Sequence, residues 1–281
     1  MKVIHKKAEL QQEIEQIKGQ GKTIGFVPTM GALHAGHLAL VSRCVKENDI
    51  CVVSVFVNPT QFNNQADLEK YPRNIEKDAE LLSGVGCDMV FVPSTDEMYD
   101  ENELKQRFAF DFGGLDAVME GKYRPGHFNG VVQVVSKLFR MVRPDRAYFG
   151  EKDFQQVAII HRMVEIMNFP VEIVDCPIVR EASGLALSSR NERLTDEQRK
   201  KAVKISEVLF ESRNFANSKS PKELIQWVVE KVNSVDGLEV EYYEIVDDKT
   251  LQAVETWNGH CIGCITVFCG EVRLIDNIRY N

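Results

Sequence analysis

The stretch "TIGFVPTMGALHAGHLALVSRCVKENDICVVSVFVN", Thr23–Asn58, decides the fold because it contains a strand, a turn, a helix and a second strand. Its two ends are apolar runs, and the second is rich in β-branched residues, as in strands buried on both faces of a sheet. Between them, Leu38, Val41 and Val45 recur at helical spacing. Two such strands pair in parallel through a right-handed crossover. The stretch therefore predicts the beginning of an α/β fold.

The same alternation extends on both sides of this stretch. The N-terminal "MKVIHKKAELQQEIEQIK" predicts a short strand and then a helix. Beyond residue 58 helix and strand alternate in "IEKDAELLSGVG", "CDMVFVP", "GVVQVVSKLFRMV", "RAYF", "DFQQVAIIHRMVEIMN" and "VEIVDCPIV". This order predicts a parallel sheet covered by helices. We expect a Rossmann-like domain in residues 1–178.

The last hundred residues follow a different plan. "TDEQ", Thr195–Gln198, and "SPKE", Ser220–Glu223, both have the form of a capping box, and each predicts a helix start. The runs "LEVEYYEIVD", "CITVFCG" and "VRLIDNI" then predict strands. Helices followed by strands are typical of a small α+β domain. We place it at residues 179–281, with the boundary near Ile178.

Composition limits the classes of function. The chain has 281 residues, 44% of them hydrophobic, and a formal net charge of -8. A surface of this charge repels polyanions, so nucleic acid and anionic membranes are poor partners. No stretch approaches the about 20 apolar residues of a membrane-spanning helix, and the N-terminus has no apolar signal core. We therefore expect a cytoplasmic protein.

The seven cysteines are scattered, and "CIGC", Cys261–Cys264, is the closest pair. A redox or metal role is conceivable, but neither a second pair nor a nearby histidine pair completes a zinc site. The segment also has the pattern of a strand, in which positions three apart face opposite ways. Structural thiols are the favoured interpretation.

The turn "PTMGALHAGH", Pro28–His37, lies where a parallel strand ends, which is where open α/β sheets bind ligands. Gly31 and Gly36 carry no side chains, so a ligand can approach the backbone. The following helix start favours anions, and His34 and His37 can point to one side and donate to phosphate oxygens. The alternative is two surface histidines in a capped turn. A metal site is less favoured because no acidic residue flanks the pair.

Two later turns repeat this design. In "YFGEKD", Lys152 stands at a helix start, where a cation is unfavourable unless an anion binds. In "LALSSRN", Arg190 and two serines follow an apolar strand, and Arg190 can fork onto phosphate. Each turn also has an alternative interpretation without a ligand. Lys152 could be a solvated lysine paired with Glu151 or Asp153, and "LALSSRN" could be an ordinary helix cap. Three such turns together favour a triphosphate pocket.

At the level of motifs, "PTMGALHAGH" resembles the HxGH motif of the nucleotidyltransferase superfamily related to class I aminoacyl-tRNA synthetases. Within it, the chain resembles the pantoate–β-alanine ligase family through "FVNPTQF", "YPR", "EGKYRPGHFNGVVQVVSKLF", "FGEKDFQQ" and "LALSSRN". The resemblance is close from Pro28 to about Leu194 and weak beyond. Ser183 departs from the aspartate that the family often has there, which weakens any inference about hinge contacts.

The resemblance implies an activity and its substrates. In this family ATP activates the carboxylate of pantoate, pyrophosphate leaves, and β-alanine attacks the pantoyl adenylate to release AMP and pantothenate. It also implies Mg²⁺ on the phosphates and a homodimer through the nucleotide-binding domain. From the position of the domain boundary we expect the C-terminal domain to close over the nucleotide as a lid and to bring Ser188, Ser189 and Arg190 onto the phosphates. Attack at the α-phosphorus builds negative charge that fixed donors can stabilise.

The resemblance also implies the site residues. The expected catalytic residues are His37, His34, Lys152 and Arg190, with His37 at the position commonly assigned as the proton donor. The expected ATP-binding residues are Met30, Gly31, Ala32, Leu33, His34, Ala35, Gly36, His37, Gly150, Glu151, Lys152, Asp153, Val179, Leu187, Ser188, Ser189 and Arg190. Val179 is expected to contact adenine through its backbone.

For the other substrates, Gln61 and Gln156 match positions that bind pantoate, and Gln61 also matches a position near β-alanine. A neutral amide can bond hydroxyl and carboxylate groups without quenching the nucleophile. Asp78 is either a magnesium ligand, directly or through water, or a helix-surface carboxylate, and we assign no metal ligand. Arg124 and His127 lie either near the substrate entrance or in a structural turn.

Three other functions share some of these features. A mononucleotide adenylyltransferase of the same superfamily would have the HxGH turn but would not need the two glutamines. A catalytically silent nucleotide-binding protein would bind ATP without turnover. A tRNA-charging enzyme is disfavoured by the acidic charge and by the lack of an anticodon-binding extension.

Overall fold

The structure is a computed structural model, and it describes residues 1–63, 65–105, 108–216 and 218–280. The chain divides into two compact units. Unit 1 comprises Met1–Asp116, Gly121–Glu151 and Gln156–Cys176, and unit 2 comprises Ala117–Glu120, Lys152–Gln155 and Pro177–Asn281. Two short segments that precede the C-terminal part of the chain therefore belong to unit 2.

A parallel sheet forms the framework of unit 1. Among the described residues, its six strands are β1 (Lys2–Ile4), β2 (Ile24–Thr29), β3 (Ile50–Val55), β4 (Met89–Phe91), β5 (Arg146–Gly150) and β6 (Glu172–Cys176). They lie in the order β1-β4-β3-β2-β5-β6, and every pair is parallel. The expected parallel α/β sheet is confirmed.

The strand order reverses between β2 and β5. On one side of β2 lie β3 and β4, and on the other side lie β5 and β6. β2 and β5 are direct neighbours, with Gly25 paired to Arg146 and Phe26 to Ala147. In open α/β sheets the crevice at such a reversal, beyond the carboxyl ends of the strands, is the usual ligand site. The turns that follow β2 and β5 leave the sheet at this point.

Helices occur in both units. They are α1 (Lys7–Gly19), α2 (Ala35–Glu47), α3 (Gln65–Glu69), α4 (Ile75–Gly84), α5 (Thr95–Met98), α6 (Glu101–Lys105), α7 (Met119–Tyr123), α8 (His127–Val142), α9 (Phe154–Met167), α10 (Asp196–Ser212) and α11 (Pro221–Asn233). Within the described residues, no helix combines the length and the apolar character needed to cross a bilayer.

The sheet of unit 1 is buried on both faces. Along β2, Phe26 packs into one apolar cluster and the next residue, Val27, into another. Val52 and Val53 of β3 divide in the same way. Successive strand residues point to opposite faces, so both faces are covered. This explains why the strands are apolar almost throughout their length.

Unit 2 combines α10 and α11 with an antiparallel sheet of β7 (Leu238–Asp247), β8 (Cys261–Cys269) and β9 (Val272–Tyr280). Both predicted capping boxes are present, with Thr195 opposite Gln198 and Ser220 opposite Glu223. The expected α+β architecture is confirmed.

The "CIGC" segment lies inside β8, as predicted. Cys261 and Cys264 are both buried free thiols, and burial raises the pKa of the Cys264 thiol. A thiol held protonated is a poor nucleophile and a poor metal ligand. The geometry therefore agrees with a packing role for the pair.

Candidate active site

The turn Met30–His37, which we name the His turn, joins β2 to α2. His34 is the N-cap of α2, and its Nδ1 accepts a hydrogen bond from the backbone N–H of Gly36 at 3.1 Å. The Nδ1 of His37 accepts the N–H of His34 at 3.4 Å, which completes a capping box made of two imidazoles. The ring centroids are 4.1 Å apart, so the rings lie together, as their spacing predicted.

These two hydrogen bonds fix the chemistry of the rings. A backbone N–H can only donate, so each Nδ1 is an unprotonated acceptor. In a neutral imidazole the proton is then on Nε2, at the far side of the ring from the cap. In both rings the nitrogen that carries the proton is therefore Nε2. The structure describes every residue in the first turn of α2, and none of them is acidic. An anionic ligand near this helix start would therefore meet no negative side chain from that turn.

Asp78 holds the middle of the His turn. Its side chain comes from the first turn of α4 and is only 2% exposed. Its Oδ2 accepts the backbone N–H of Ala32 at 3.0 Å, and its Oδ1 accepts that of Leu33 at 2.8 Å. The alternative of a helix-surface carboxylate is wrong, because the carboxylate is buried against the turn.

Gln61 lies next to the His turn. It ends a 3₁₀ turn, Pro59–Gln61, that follows β3, and it is 8% exposed. Its Oε1 accepts a hydrogen bond from Asn58 at 3.0 Å, and its Nε2 lies 3.2 Å from the sulfur of Met30. Asn58, fully buried, also accepts the hydroxyl of Tyr99 at 2.9 Å. These bonds fix the direction of the Gln61 amide.

The backbone of Gln61 is held by α8. His127 is 7% exposed, and its Nδ1 lies 2.8 Å from the carbonyl oxygen of Gln61. That oxygen can only accept, so the Nδ1 of His127 carries a proton and donates it. Gly130 of α8 touches the backbone at Thr60, where a Cβ atom would clash. Of the two alternatives for His127, the structural one is supported.

The turn after β5, Gly150–Asp153, is named the Lys turn. Residues 151–153 form a 3₁₀ turn directly before α9. Lys152 is 16% exposed, and its Nζ pairs with Asp153 at 3.2 Å. Its backbone carbonyl accepts a hydrogen bond from the Nδ2 of Asn277 at 3.1 Å. A residue near the end of the chain therefore holds this turn.

A buried ion pair lies beside Asn277. Asp276 is 5% exposed and accepts two hydrogen bonds from the guanidinium of Arg180, at 2.6 and 2.8 Å. Burial raises the pKa of Asp276, and Arg180 opposes that shift. The Oδ1 of Asp276 also accepts the N–H of Asn277 at 2.8 Å. This pair fixes the end of β9 that carries Asn277.

The remaining expected ATP-binding residues of unit 2 lie on one small antiparallel turn. The N–H of Leu187 donates to the carbonyl of Val179 at 3.0 Å. Ser188 caps the 3₁₀ turn Ser189–Arg193, with its hydroxyl accepting the N–H of Arg190 at 3.3 Å. Val179 and residues 187–190 were assigned from separate sequence segments. In the structure they are neighbours.

The expected site residues fall into two groups. The His turn, Gln61, Gly150 and Glu151 belong to unit 1, and so does Gln156, which is half-buried on α9. Lys152, Asp153, Val179 and residues 187–190 belong to unit 2. Ser183 is exposed in the turn between Arg180 and Ala186. Asn58 and Asn277 were not anticipated from the sequence.

Comparison with known proteins identifies the family. A sequence model of the family described as "Pantoate-beta-alanine ligase" matches residues 2–279. The chain belongs to this family. The match to this ligase family also covers the residues beyond Leu194, where the motifs alone gave only a weak resemblance.

Relatives and solved structures agree with this ligase family. Proteins named pantothenate synthetase from Bacteroides fragilis (strain YCH46) and Porphyromonas gingivalis (strain W83) are 58% and 55% identical, with 100% of this chain and 99% of each relative covered. A pantothenate synthetase structure from Thermus thermophilus has a TM-score of 0.93 at 43% identity, with both chains covered completely. A pantoate-beta-alanine ligase from Francisella tularensis, described as complexed with beta-gamma ATP and beta-alanine, has a TM-score of 0.84 at 35% identity over 99% of this chain and 97% of that one.

Proposed function

We propose that this chain condenses pantoate with β-alanine at the expense of ATP, through a pantoyl adenylate. Family membership over residues 2–279 supports the reaction. The observation that carries the site is that the His turn and the Lys turn follow β2 and β5, neighbouring strands at the reversal of the sheet.

The reaction has two steps. A carboxylate oxygen of pantoate attacks the α-phosphorus of ATP, the new O–P bond forms, and the bond to the bridging oxygen of pyrophosphate breaks. The amine of β-alanine then attacks the acyl carbon, AMP leaves with the oxygen that pantoate supplied, and the nitrogen loses a proton. The products are pantothenate, AMP and pyrophosphate.

The catalytic residues act as donors to phosphate oxygens. His34 and His37 donate through Nε2–H, because Nδ1 of each ring is occupied by a backbone N–H. Lys152 and Arg190 supply positive charge. Fixed donors of this kind stabilise charge that develops at the α-phosphorus and on the leaving pyrophosphate, without reorganisation during the reaction.

The other ATP contacts are assigned to the backbone and side chains of the turns. The proposed set is Met30, Gly31, Ala32, Leu33, Ala35, Gly36, Gly150, Glu151, Asp153, Val179, Leu187, Ser188 and Ser189. The backbone pairing of Val179 with Leu187 supports a common surface for this part of the nucleotide.

Pantoate is assigned to Gln61 and Gln156. The Oε1 of Gln61 is occupied by Asn58, so Gln61 acts as a donor through Nε2. A neutral donor orients the pantoate carboxylate without neutralising it, which preserves its reactivity. Gln61 is also assigned to the neighbourhood of β-alanine.

Mg²⁺ is proposed as a partner of ATP. In the described part of the chain, no group of three or more His, Cys, Asp or Glu side chains is arranged to hold a metal ion. Both oxygens of Asp78 already accept backbone N–H groups. Magnesium commonly binds through substrate phosphates and few protein ligands, and it would offset charge on the leaving pyrophosphate.

Several wider assignments remain predictions. They are the division into a nucleotide- and pantoate-binding domain at 1–178 and a lid domain at 179–281, the homodimer, and the cytoplasmic location. The acidic net charge of -8 supports small-molecule substrates over nucleic acid.

One assay tests the reaction. Purified protein is incubated with ATP, Mg²⁺, pantoate and β-alanine, and AMP and pantothenate are quantified while each component is omitted in turn. We expect equal amounts of AMP and pantothenate, and only in the complete mixture. When β-alanine alone is omitted, we expect label from added pyrophosphate to exchange into ATP. A dinucleotide product would indicate an adenylyltransferase, and ATP binding without turnover a silent binding protein; either result contradicts the proposal.

A further inference from the structure

We propose that Asp78 is a positioning residue that holds the His turn in its phosphate-binding conformation before ATP arrives. The inference rests on the proposed function, because it concerns the same site. In this proposal the buried carboxylate fixes the conformation of the backbone and contacts neither the nucleotide nor a metal ion.

The first support is the backbone conformation of the turn. Gly31 has φ +82° and Ala32 has φ +50°, so two successive residues lie in the left-handed region. For Ala32 this conformation costs free energy, because its Cβ approaches the following carbonyl oxygen. A strained turn persists only where its surroundings hold it.

The second support is the geometry of the clamp. Successive N–H groups in such a turn converge and form a small concavity that binds an anion. The N–H groups of Ala32 and Leu33 converge on one carboxylate, with Asp78 Oδ2 at 3.0 Å and Oδ1 at 2.8 Å. The Asp78 carboxylate is therefore an internal anion that occupies the concavity formed by the strained backbone.

The third support is the close packing around the clamp. A Cβ atom built on Gly31 would lie 2.9 Å from Oδ2 of Asp78 and 2.9 Å from a methyl carbon of Val55. The carboxylate is 2% exposed, and each of its oxygens is engaged with an amide. These contacts explain why the chain has glycine at position 31, and they favour a fixed position of the carboxylate over metal binding.

The consequence for catalysis is preorganisation. Two residues after Ala32, His34 caps α2, and its ring orientation depends on the path of the turn. Donors that are placed in advance stabilise developing charge without reorganisation. Loss of the clamp should therefore weaken the use of ATP more than the use of β-alanine.

The experiment uses Asp78→Asn, which keeps the shape but turns one acceptor into an NH₂ group. We expect kcat/KM for ATP to fall about 10-fold or more, with the KM for β-alanine and the Mg²⁺ activation curve unchanged. Adding Ala32→Gly should recover at least about 3-fold of that loss, since glycine adopts the left-handed conformation without the Cβ clash. Such rescue would not arise from a general loss of stability.

The matched control is Asp145→Asn. Asp145 also accepts a backbone N–H of β2, that of Ile24 at 2.7 Å, but at the opposite end of the strand from the His turn. We expect this variant to lose thermal stability while its kcat/KM for ATP stays within about 2-fold of the wild type. Asp145 also pairs with Lys18 at 3.0 Å, so this variant measures what the loss of a carboxylate bound to both a backbone amide and a lysine does away from the His turn.

Other results would overturn the inference. These are wild-type kcat/KM for ATP in Asp78→Asn, an activity loss that Ala32→Gly does not relieve, or a shifted Mg²⁺ requirement, which would make Asp78 a metal ligand. If Asp78→Asn does not fold, the double variant should fold; failure of both while Asp145→Asn folds also overturns it. If the wild type itself makes no pantothenate, the proposed function fails, and the ATP dissociation constants of the same variants then test the clamp.

Discussion

The His turn and the Lys turn follow neighbouring strands of one sheet, and each leads through a short turn into a helix, but they are held by different means. In the His turn, the two proposed catalytic side chains also form the helix cap, and Asp78 holds the backbone from 45 residues away. In the Lys turn, the proposed catalytic side chain forms no cap, and Asn277 holds the backbone from 125 residues away.

The difference follows from the chemistry of the two side chains. An imidazole has two nitrogen atoms, so one can accept a backbone N–H while the other donates to a ligand. An ammonium group has only donors and cannot cap a helix start, where its charge is also unfavourable. The Lys turn therefore depends on a distant residue for its shape. Local and distant support should respond differently to mutation.

The largest effects are expected from the proposed catalytic side chains themselves. His37→Ala and Lys152→Ala should each lower kcat about 100-fold or more, because each removes one donor to the transition state. Initial rates of AMP release at saturating substrates measure the effect. Near-normal turnover in either variant would remove that residue from the mechanism.

His37→Asn separates the two tasks of this ring. Its amide oxygen can take the place of Nδ1 and accept the N–H of His34, but nothing replaces the Nε2–H donor. We expect a loss of kcat close to that of His37→Ala, with a higher melting temperature than His37→Ala. Equal melting temperatures would mean that the His37 half of the capping box adds nothing to stability.

The next effect concerns the distant support of the Lys turn. Asn277→Ala removes the hydrogen bond to the carbonyl of Lys152, and the resulting displacement should lower kcat between about 10- and 100-fold. The matched control is Asn233→Ala, which also removes a side-chain bond to the backbone of unit 2, the one from the N–H of Val240 at 2.8 Å. The control should keep wild-type kcat; an equal loss in both variants would contradict a specific role for Asn277.

A smaller effect is expected for pantoate. Gln61→Ala should raise the KM for pantoate about 10-fold, the usual scale for losing a hydrogen bond to a charged group, while the KM for ATP changes little. Steady-state kinetics with each substrate varied in turn provide the measurement. An effect limited to the KM for ATP would count against the assignment of Gln61.

The sequence predicted the architecture because its signals are local. Apolar strands, helical spacing and the boxes at Thr195 and Ser220 are visible within a few residues. The supporting residues depend on the folded chain and were missed or misread. Asp78, in the first turn of a helix, was interpreted as either a magnesium ligand or a helix-surface carboxylate, and Asn277 lies in a strand of another sheet. Asn58, directly before Pro59, offered the one local signal, since Asn-Pro favours a turn.

The smallest expected effect comes from the Ser220–Glu223 capping box of α11, which contains no proposed site residue. At α11 the Ser220 hydroxyl accepts the N–H of Glu223 at 3.3 Å, and the Glu223 carboxylate accepts the N–H of Ser220 at 2.8 Å. Ser220→Ala should lower the melting temperature by about 2 to 4 °C and leave kcat unchanged. His34→Ala, which removes a cap of the same form, should lower both.

The pH dependence of this cap follows from Glu223. The backbone N–H of Ser220 lowers the pKa of Glu223 from its ordinary value of 4.5. A lowered carboxyl pKa stabilises the folded state above the ordinary value, and the contribution is lost as the pH falls through the lowered one. Ser220→Ala keeps the backbone N–H at position 220 but removes the hydroxyl, which donates to the same carboxylate at 2.7 Å and also lowers its pKa. The part of the difference in melting temperature that comes from this hydroxyl–carboxylate bond should therefore be full at neutral pH and shrink below about pH 4. A difference that stays constant down to about pH 3 would show that the Ser220 hydroxyl contributes by accepting the N–H of Glu223 rather than by donating to its carboxylate, and it would weaken the parallel with the reciprocal cap of His34 and His37.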